Sequence, residues 1–402
     1  MLAMVAIAVL CVLGLSVRYP RPVVVVWILA METSPDQWLD PLIGGHELII
    51  AVMKGFGVGL VVVLALREGA RWDAWNPGFA FGAMFLVGLV HGLYPGLTLV
   101  ESVRSLLGSA GPFLFGFVAW RAGMVGAVER ACEWGALWTL GFGAVLALLG
   151  LDHMYAIQQG AMRLGGTGEA PFLAGFALVG VYAGLRRWIR QGGVAPALLV
   201  AVNVVIILLT GARMPMLLAA MVVLGVLLMQ RRVVALAGAG ALAALVVMFW
   251  SALGFFRVIG LAQQGEATAL SNRDLVWPYF QGAIAASPIF GWGVGAGKVV
   301  IPLNASLTQL IGTNAAHDEY LRLGSEGGAF GLALLVGLML AWVRRGTARM
   351  APAEASFMWL VFAAFALHSA TDNTMIATTS SVFFIWVSAV FANPVAKAKA
   401  AA

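Results

Sequence analysis

Residues 197–232 read ALLVAVNVVIILLTGARMPMLLAAMVVLGVLLMQRR. Apolar runs at 194–210 and 213–229 flank one short polar turn, and two arginines close the second run. A helix that spans a bilayer needs roughly 20 apolar residues, with about 17 as the lower limit. In lipid, only helices and closed barrels satisfy every backbone group, and runs this long exclude a barrel. The stretch therefore reads as a tight helical hairpin with Arg213 at its turn.

The same pattern fills the chain. Residues 48–66, 78–94, 105–120, 131–150, 170–186, 233–250, 326–343, 355–371 and 376–392 are apolar. Residues 2–17 and 22–31 add one or two more, although PVVVVWILAM is too short to span comfortably. The 402 residues are 61% hydrophobic and 10% charged, too apolar for a soluble domain. The expected fold is all-α, a polytopic integral membrane protein with about 12 transmembrane helices. It forms a single membrane domain over 1–402, with a large periplasmic loop, partly helical, at 251–325. Residues 1–16 lack a basic leader and read as a first membrane segment.

Arginine carries most of the net charge of +6. Basic clusters at 186–190, 230–232, 344–349 and 397–400 are separated by even numbers of crossings. Positive-inside logic puts them, with Arg67, Arg71, Arg121 and Arg130, in the cytoplasm. Charge spent on topology does not argue for a nucleic-acid partner. Cys11 and Cys132 fall in apolar runs and imply no disulfide framework. The opposite side then receives the 32–47 and 152–168 loops, Arg213, the stretch 251–325, Asp372 and Asn373.

The long outer stretch is rich in Trp, Phe and Gly, so it is expected to fold onto the membrane surface. Residues 272–287, NRDLVWPYFQGAIAAS, predict an amphipathic helix, and TNAAHDEYLRLGSEGG (313–328) a short helix leading into the next span. GWGVGAGK (291–298) is a turn and no phosphate loop: Trp292 stands where that motif needs glycine, and Val299 where it needs Ser or Thr.

Three outward residues are candidates to carry chemistry. His317 can take a proton from a hydroxyl, against a purely interfacial hydrogen-bonding role. Arg213 faces outward against the positive-inside tendency, and its plainer role is snorkelling to headgroups. Arg273 is flanked by Asp274, with a solvated ion pair as its plainer role; Arg257 and Arg163 are weaker cases. Guanidinium forks match phosphate oxygens, so two arginines and a histidine make an anion clamp with a base. Asp318 and Glu319 adjoin His317 without facing each other, and Arg322 can pair with Asp318 or Glu326 at i,i+4. Asp372 either lines an acceptor cleft or caps a helix end. His46, His91, His153 and His368 stand near span ends as interfacial anchors. No Cys/His cluster or HExxH argues for a metal, and no cofactor is expected.

Together, TGAR (210–213), NRDLVW (272–277), SPIFGWGVG (287–295) and HDEYLRLGSEGGAFG (317–331) resemble the bacterial O-antigen ligase and polymerase superfamily. The resemblance implies a metal-independent, inverting glycosyltransferase in the bacterial inner membrane, multi-pass, with its active site facing the periplasm. It implies an undecaprenyl-diphosphate-linked glycan as donor and a lipid A–core or growing glycan as acceptor. By that likeness Arg213 and Arg273 hold the diphosphate, and His317 activates the acceptor hydroxyl. Asp318 departs from the Asn that often follows this histidine. Ligase is favoured over polymerase of O-antigen or exopolysaccharide repeats. A lipid-linked glycan transporter or flippase is the reading from another class; no internal repeat supports it.

Overall fold

The computed structural model describes residues 2–43, 45–158, 161–230, 275–302, 305, 308 and 314–392. The 233–250 run, the basic pair 231–232, Arg257, Arg273 and the tail at 397–400 lie outside them. Helices dominate. They are α1 (Leu2–Arg18), α2 (Pro20–Glu32), the one-turn α3 (Pro35–Trp38) and α4 (Asp40–Ile43), α5 (His46–Glu68), α6 (Gly78–His91), α7 (Leu99–Leu114) and α8 (Ala122–Leu148). After a hairpin of β1 (Tyr155–Gln158) and β2 (Ala161–Leu164) come α9 (Ala170–Gln191), α10 (Val194–Thr210), α11 (Arg213–Met229) and α12 (Trp277–Ala286). The chain closes with α13 (Glu319–Thr347), α14 (Pro352–Ser369) and α15 (Thr378–Ala392).

Among the described residues, four helices are long and apolar enough to cross a membrane: Leu48–Glu68, Ala122–Leu148, Ala170–Gln191 and Glu319–Thr347. Shorter apolar helices, α10 and α11 among them, complete the bundle. The hairpin is a local departure from all-α, antiparallel with Tyr155 opposite Leu164. The expected short helix before the next span is present from Glu319, and a kink at Gly328 joins it to the apolar helix that follows, so Glu319–Thr347 is one element with an internal break. The outer helix opens at Trp277, with Pro278 in its first turn.

The bundle has two chemically different ends. At one, Arg121 pairs with Glu68 at 2.5 Å and Arg187 with Glu133 at 2.6 Å. There Arg186 bridges Glu129 of α8 and Glu354 of α14, all three buried. At the other, Thr167 Oγ1 donates to the Thr33 carbonyl at 2.7 Å, and Tyr320 Oη to the Ala366 carbonyl at 2.9 Å. The loops assigned from sequence to a common side meet at this second end.

The decisive local feature is the break in α13. Gly328 adopts φ 57°, ψ −161° inside the helix, which interrupts its hydrogen-bond ladder. The freed groups are taken up by the 287–295 segment. Trp292 N and Gly293 N donate to the carbonyls of Ser325 and Glu326 at 3.0 and 2.9 Å. Ala329 N and Phe330 N donate to the carbonyls of Pro288 and Ile289 at 2.8 and 2.9 Å. A helix break out of water needs such replacements. Glycine makes the approach possible: a Cβ at 291 would lie 2.5 Å from the Glu326 carbonyl carbon, and one at 328 would lie 2.5 Å from Ile289. Ser102 Oγ then pins the same segment to α7 through the Val294 carbonyl at 2.7 Å.

Gly328→Ala should therefore lower the unfolding temperature in detergent, since a strained left-handed residue costs roughly 1–3 kcal/mol before any clash. Gly282→Ala, on α12 with open space around it, should leave that temperature unchanged.

Candidate functional site

One cavity of about 1110 Å³ opens among α2, α5, α7, α9, α11 and α15. Its deep part is apolar, with Trp27, Ile50, Met53, Leu107, Phe115 and Ile385 on the wall. Its outer part is polar. Arg163, Arg213, His317, His368 and Asp372 line it, with Asp36, His46 and Glu169. Lys54 is an exception within the apolar part: on α5 it lies beyond Ile50 and Met53 as counted from His46, with its side chain against Gly108 of α7.

Each polar group is held for an identifiable reason. Arg213 is the first residue of α11, just after Gly211 ends α10 in the left-handed conformation at φ 64°. The hairpin turn therefore aims Arg213 at the helix mouth, where positive dipole charge also favours anions. Arg163 stands on β2 and its Nε donates to the Thr210 carbonyl at 2.7 Å. One guanidinium thus caps α10 while the next opens α11, and the two cations influence each other. Burial lowers the Arg163 pKa; Glu169 opposes that and Arg213 adds to it. Nothing in the local pattern around Arg163 shows that the hairpin folds back over the 210–213 turn.

His317 lies immediately before α13 at φ 48°, a left-handed backbone that a branched or bulky residue rarely adopts. Four hydrogen bonds fix it there. Asn314 Nδ2 donates to the Lys298 carbonyl at 2.8 Å, and Trp277 Nε1 to the Ala316 carbonyl at 3.0 Å. Asp318 caps the helix: its Oδ1 accepts from Tyr320 N at 2.9 Å and Leu321 N at 3.1 Å. A small apolar core of Val276, Phe280, Ala283, Val300, Ile301 and Ala316 packs underneath.

On the cavity wall, His317 Nδ1 stands 3.5 Å from Asp372 Oδ1. Burial pushes the Asp372 carboxyl up, but His317, His368 and the Asn373 N–H outweigh it and hold it below the usual carboxylate range. The stability that the lowered Asp372 pKa contributes is therefore full above the ordinary carboxylate pKa. It is lost only as pH falls through the depressed value. The Asp372 carboxylate faces the histidine and lines the cavity.

The remaining sequence candidates separate. Arg322 is buried and away from the cavity. Its guanidinium grips Glu319 of the preceding turn and, at 2.8 Å, Glu326 of the next. Asp318, the other partner expected for it, is occupied at the cap. A Cβ at Gly297 would lie 2.7 Å from Arg322 Cγ, so the glycine-rich turn lies directly on this cluster. Arg213, His317 and Asp372 share the cavity, whereas Asp318 and Arg322 hold the frame and Arg273 lies outside the described residues.

The two motif segments that meet at the helix break, and the hairpin bearing Arg213, all fall in one matched region: residues 196–336 match the family described as O-antigen ligase. That match supports the O-antigen ligase superfamily. The O-antigen ligase family indicates ligase- or polymerase-like function, with lipid-linked glycan and glycan acceptor as substrates. Its members are glycosyltransferase-like enzymes, and the long apolar helices agree with a membrane protein. No curated protein matches the chain at a significant level.

Arg322→Met should destabilise the protein by about 3–5 kcal/mol, because it strands two buried carboxylates. Adding Glu319→Gln and Glu326→Gln should recover much of that loss. Denaturant unfolding of the single and triple variants checks the coupling.

Proposed function

We propose that the cavity transfers a glycan from undecaprenyl diphosphate to an acceptor hydroxyl, with lipid A–core as the acceptor. The observation that carries this reading is the shared cavity: cations on one wall, His317 with Asp372 on another, and an apolar floor. A lipid-diphosphate donor has the matching parts, an apolar tail and a pyrophosphate joined to C1 of a sugar.

In the proposed step, His317 takes the proton of the acceptor hydroxyl through Nε2 while Nδ1 faces Asp372. The acceptor oxygen forms a bond to C1 as the bond from C1 to the diphosphate oxygen breaks. The electron pair leaves with the diphosphate, where Arg213 and Arg163 meet the developing charge. Arg273 adds to that clamp on the strength of the family resemblance. Attack opposite the leaving group inverts the anomeric centre. The arginines supply the charge stabilisation a metal would otherwise provide, so the reaction is read as metal-independent. Asp372 acts on His317 by orienting the ring and is a positioning residue.

The arginine-rich end is read as cytoplasmic and the cavity end as periplasmic, in the bacterial inner membrane. A polymerase would use the same chemistry on a growing glycan and differ in the acceptor alone. Transport is disfavoured by the broken helix. Transporters use freed backbone groups at such breaks to bind cargo; here the 287–295 segment takes up four of them.

Purified protein given a labelled undecaprenyl-diphosphate glycan and lipid A–core should form the covalent product. His317→Ala should reduce the rate about 10²–10⁴-fold, the usual span for a lost general base. Arg213→Ala should also lose activity. Asp372→Asn should lower kcat more than it raises KM for donor, and should alter the pH profile. Unchanged rates in His317→Ala and Arg213→Ala would refute the assignment, as would movement of the glycan lipid across vesicles without product.

A further inference from the structure

At the end of the bundle opposite the cavity, two separate parts of the chain bring arginines together. Arg71 stands in the loop after α5, Arg345 in the last turn of α13, and Arg349 just beyond it. Arg71 Nη1 donates to the carbonyl of Phe391, near the end of α15, at 3.2 Å. Gly346 lies against the ring of that same Phe391, so close that a Cβ there would overlap it. Phe391 therefore joins the Arg71 loop to the turn that carries Arg345 and Arg349. Among the described residues the charge is unbalanced: the ion-pair partner of Arg71 is Asp73, at a distant 4.0 Å, and Arg345 and Arg349 are exposed. Burial lowers the Arg71 pKa, Asp73 opposes this, and Arg349 and Arg345 lower it further.

An aromatic group stands beside these cations. Trp72, Phe79 and Phe117 pack in a triangle with centroid separations of 5.5, 5.9 and 5.7 Å. Trp72 nevertheless remains 77% exposed. Arg71 N donates to the Phe117 carbonyl at 2.7 Å, which ties the loop to this group. Exposed Trp beside cations is the composition of a headgroup-level belt.

We propose that Arg71, Arg345 and Arg349 form a site for the phosphodiester of an anionic phospholipid, with Trp72, Phe79 and Phe117 holding the loop at headgroup depth. Guanidinium forks suit phosphate oxygens, and basic pockets between helices on the cytoplasmic side take anionic headgroups. Setting topology would require only a count of cations. It would not require one arginine half-buried on a helix-end carbonyl beside two others. The bound lipid would join the ends of α13 and α15, the helix that His317 precedes and a helix that lines the cavity. The site stands whether or not glycan transfer is the right reading.

The test adds phosphatidylglycerol, phosphatidylcholine or inorganic phosphate to the full chain in neutral detergent. Bound lipid is read by native mass spectrometry and stability by thermal unfolding. Phosphatidylglycerol should bind and raise the unfolding temperature, while the other two should not. Arg345→Gln with Arg349→Gln should weaken that binding on the order of 30-fold. Arg18→Gln with Arg21→Gln, the same loss of charge at exposed sites, should not. If the first pair does not fold, Arg349→Gln alone carries the comparison. Equal binding of phosphatidylcholine, a shift reproduced by phosphate alone, or equal losses in both variant pairs would overturn the proposal.

Discussion

A helix that breaks away from water must find new partners for the backbone groups it frees. In this protein four such groups at Ser325, Glu326, Ala329 and Phe330 are met by four from residues 288–293. The exchange works only because Gly291 and Gly328 let two backbones approach without side chains between them. Beside it, the Arg322 guanidinium binds Glu319 and Glu326 beneath Gly297. These contacts make the glycine-rich turn and the start of α13 one rigid piece. His317 is the residue at its tip.

Rigid placement matters because the rest of the cavity is built from other parts of the chain. Arg213 opens α11, Arg163 arrives on a hairpin, and Asp372 follows α14. None is near His317 in sequence. Each is fixed by a local backbone device: a left-handed glycine at 211, a carbonyl cap at Thr210, a short turn after Ser369. Charge is thus carried to the mouth of an apolar cavity by groups whose orientation is settled before any ligand enters. Such preorganisation is what stabilises a leaving diphosphate most effectively.

Much of this was legible in the sequence. Hydropathy marked the helices, and the spacing of basic clusters grouped the loops that meet at one end. Arg213 stood out because an arginine on the outer side runs against the charge bias, and His317 because it sits in a polar island between apolar runs. Other features were not legible. The break at Gly328 depends on a partner segment more than 30 residues earlier, so no local period reveals it. Arg163 looked ordinary because its neighbour Thr210 is distant in the chain. The i,i+4 spacing predicts the Arg322–Glu326 pair, which forms, whereas Asp318 caps the start of α13 and does not pair with Arg322. Sequence shows which residues are unusual, whereas their partners follow from the fold.

The most direct test is a high-resolution structure with a non-transferable undecaprenyl-diphosphate glycan analogue bound. The account predicts the diphosphate within hydrogen-bonding reach of Arg163 and Arg213, the tail in the apolar floor, and the His317 imidazole facing the space beside C1. A diphosphate bound outside this cavity, or one whose C1 is screened from His317, would contradict it.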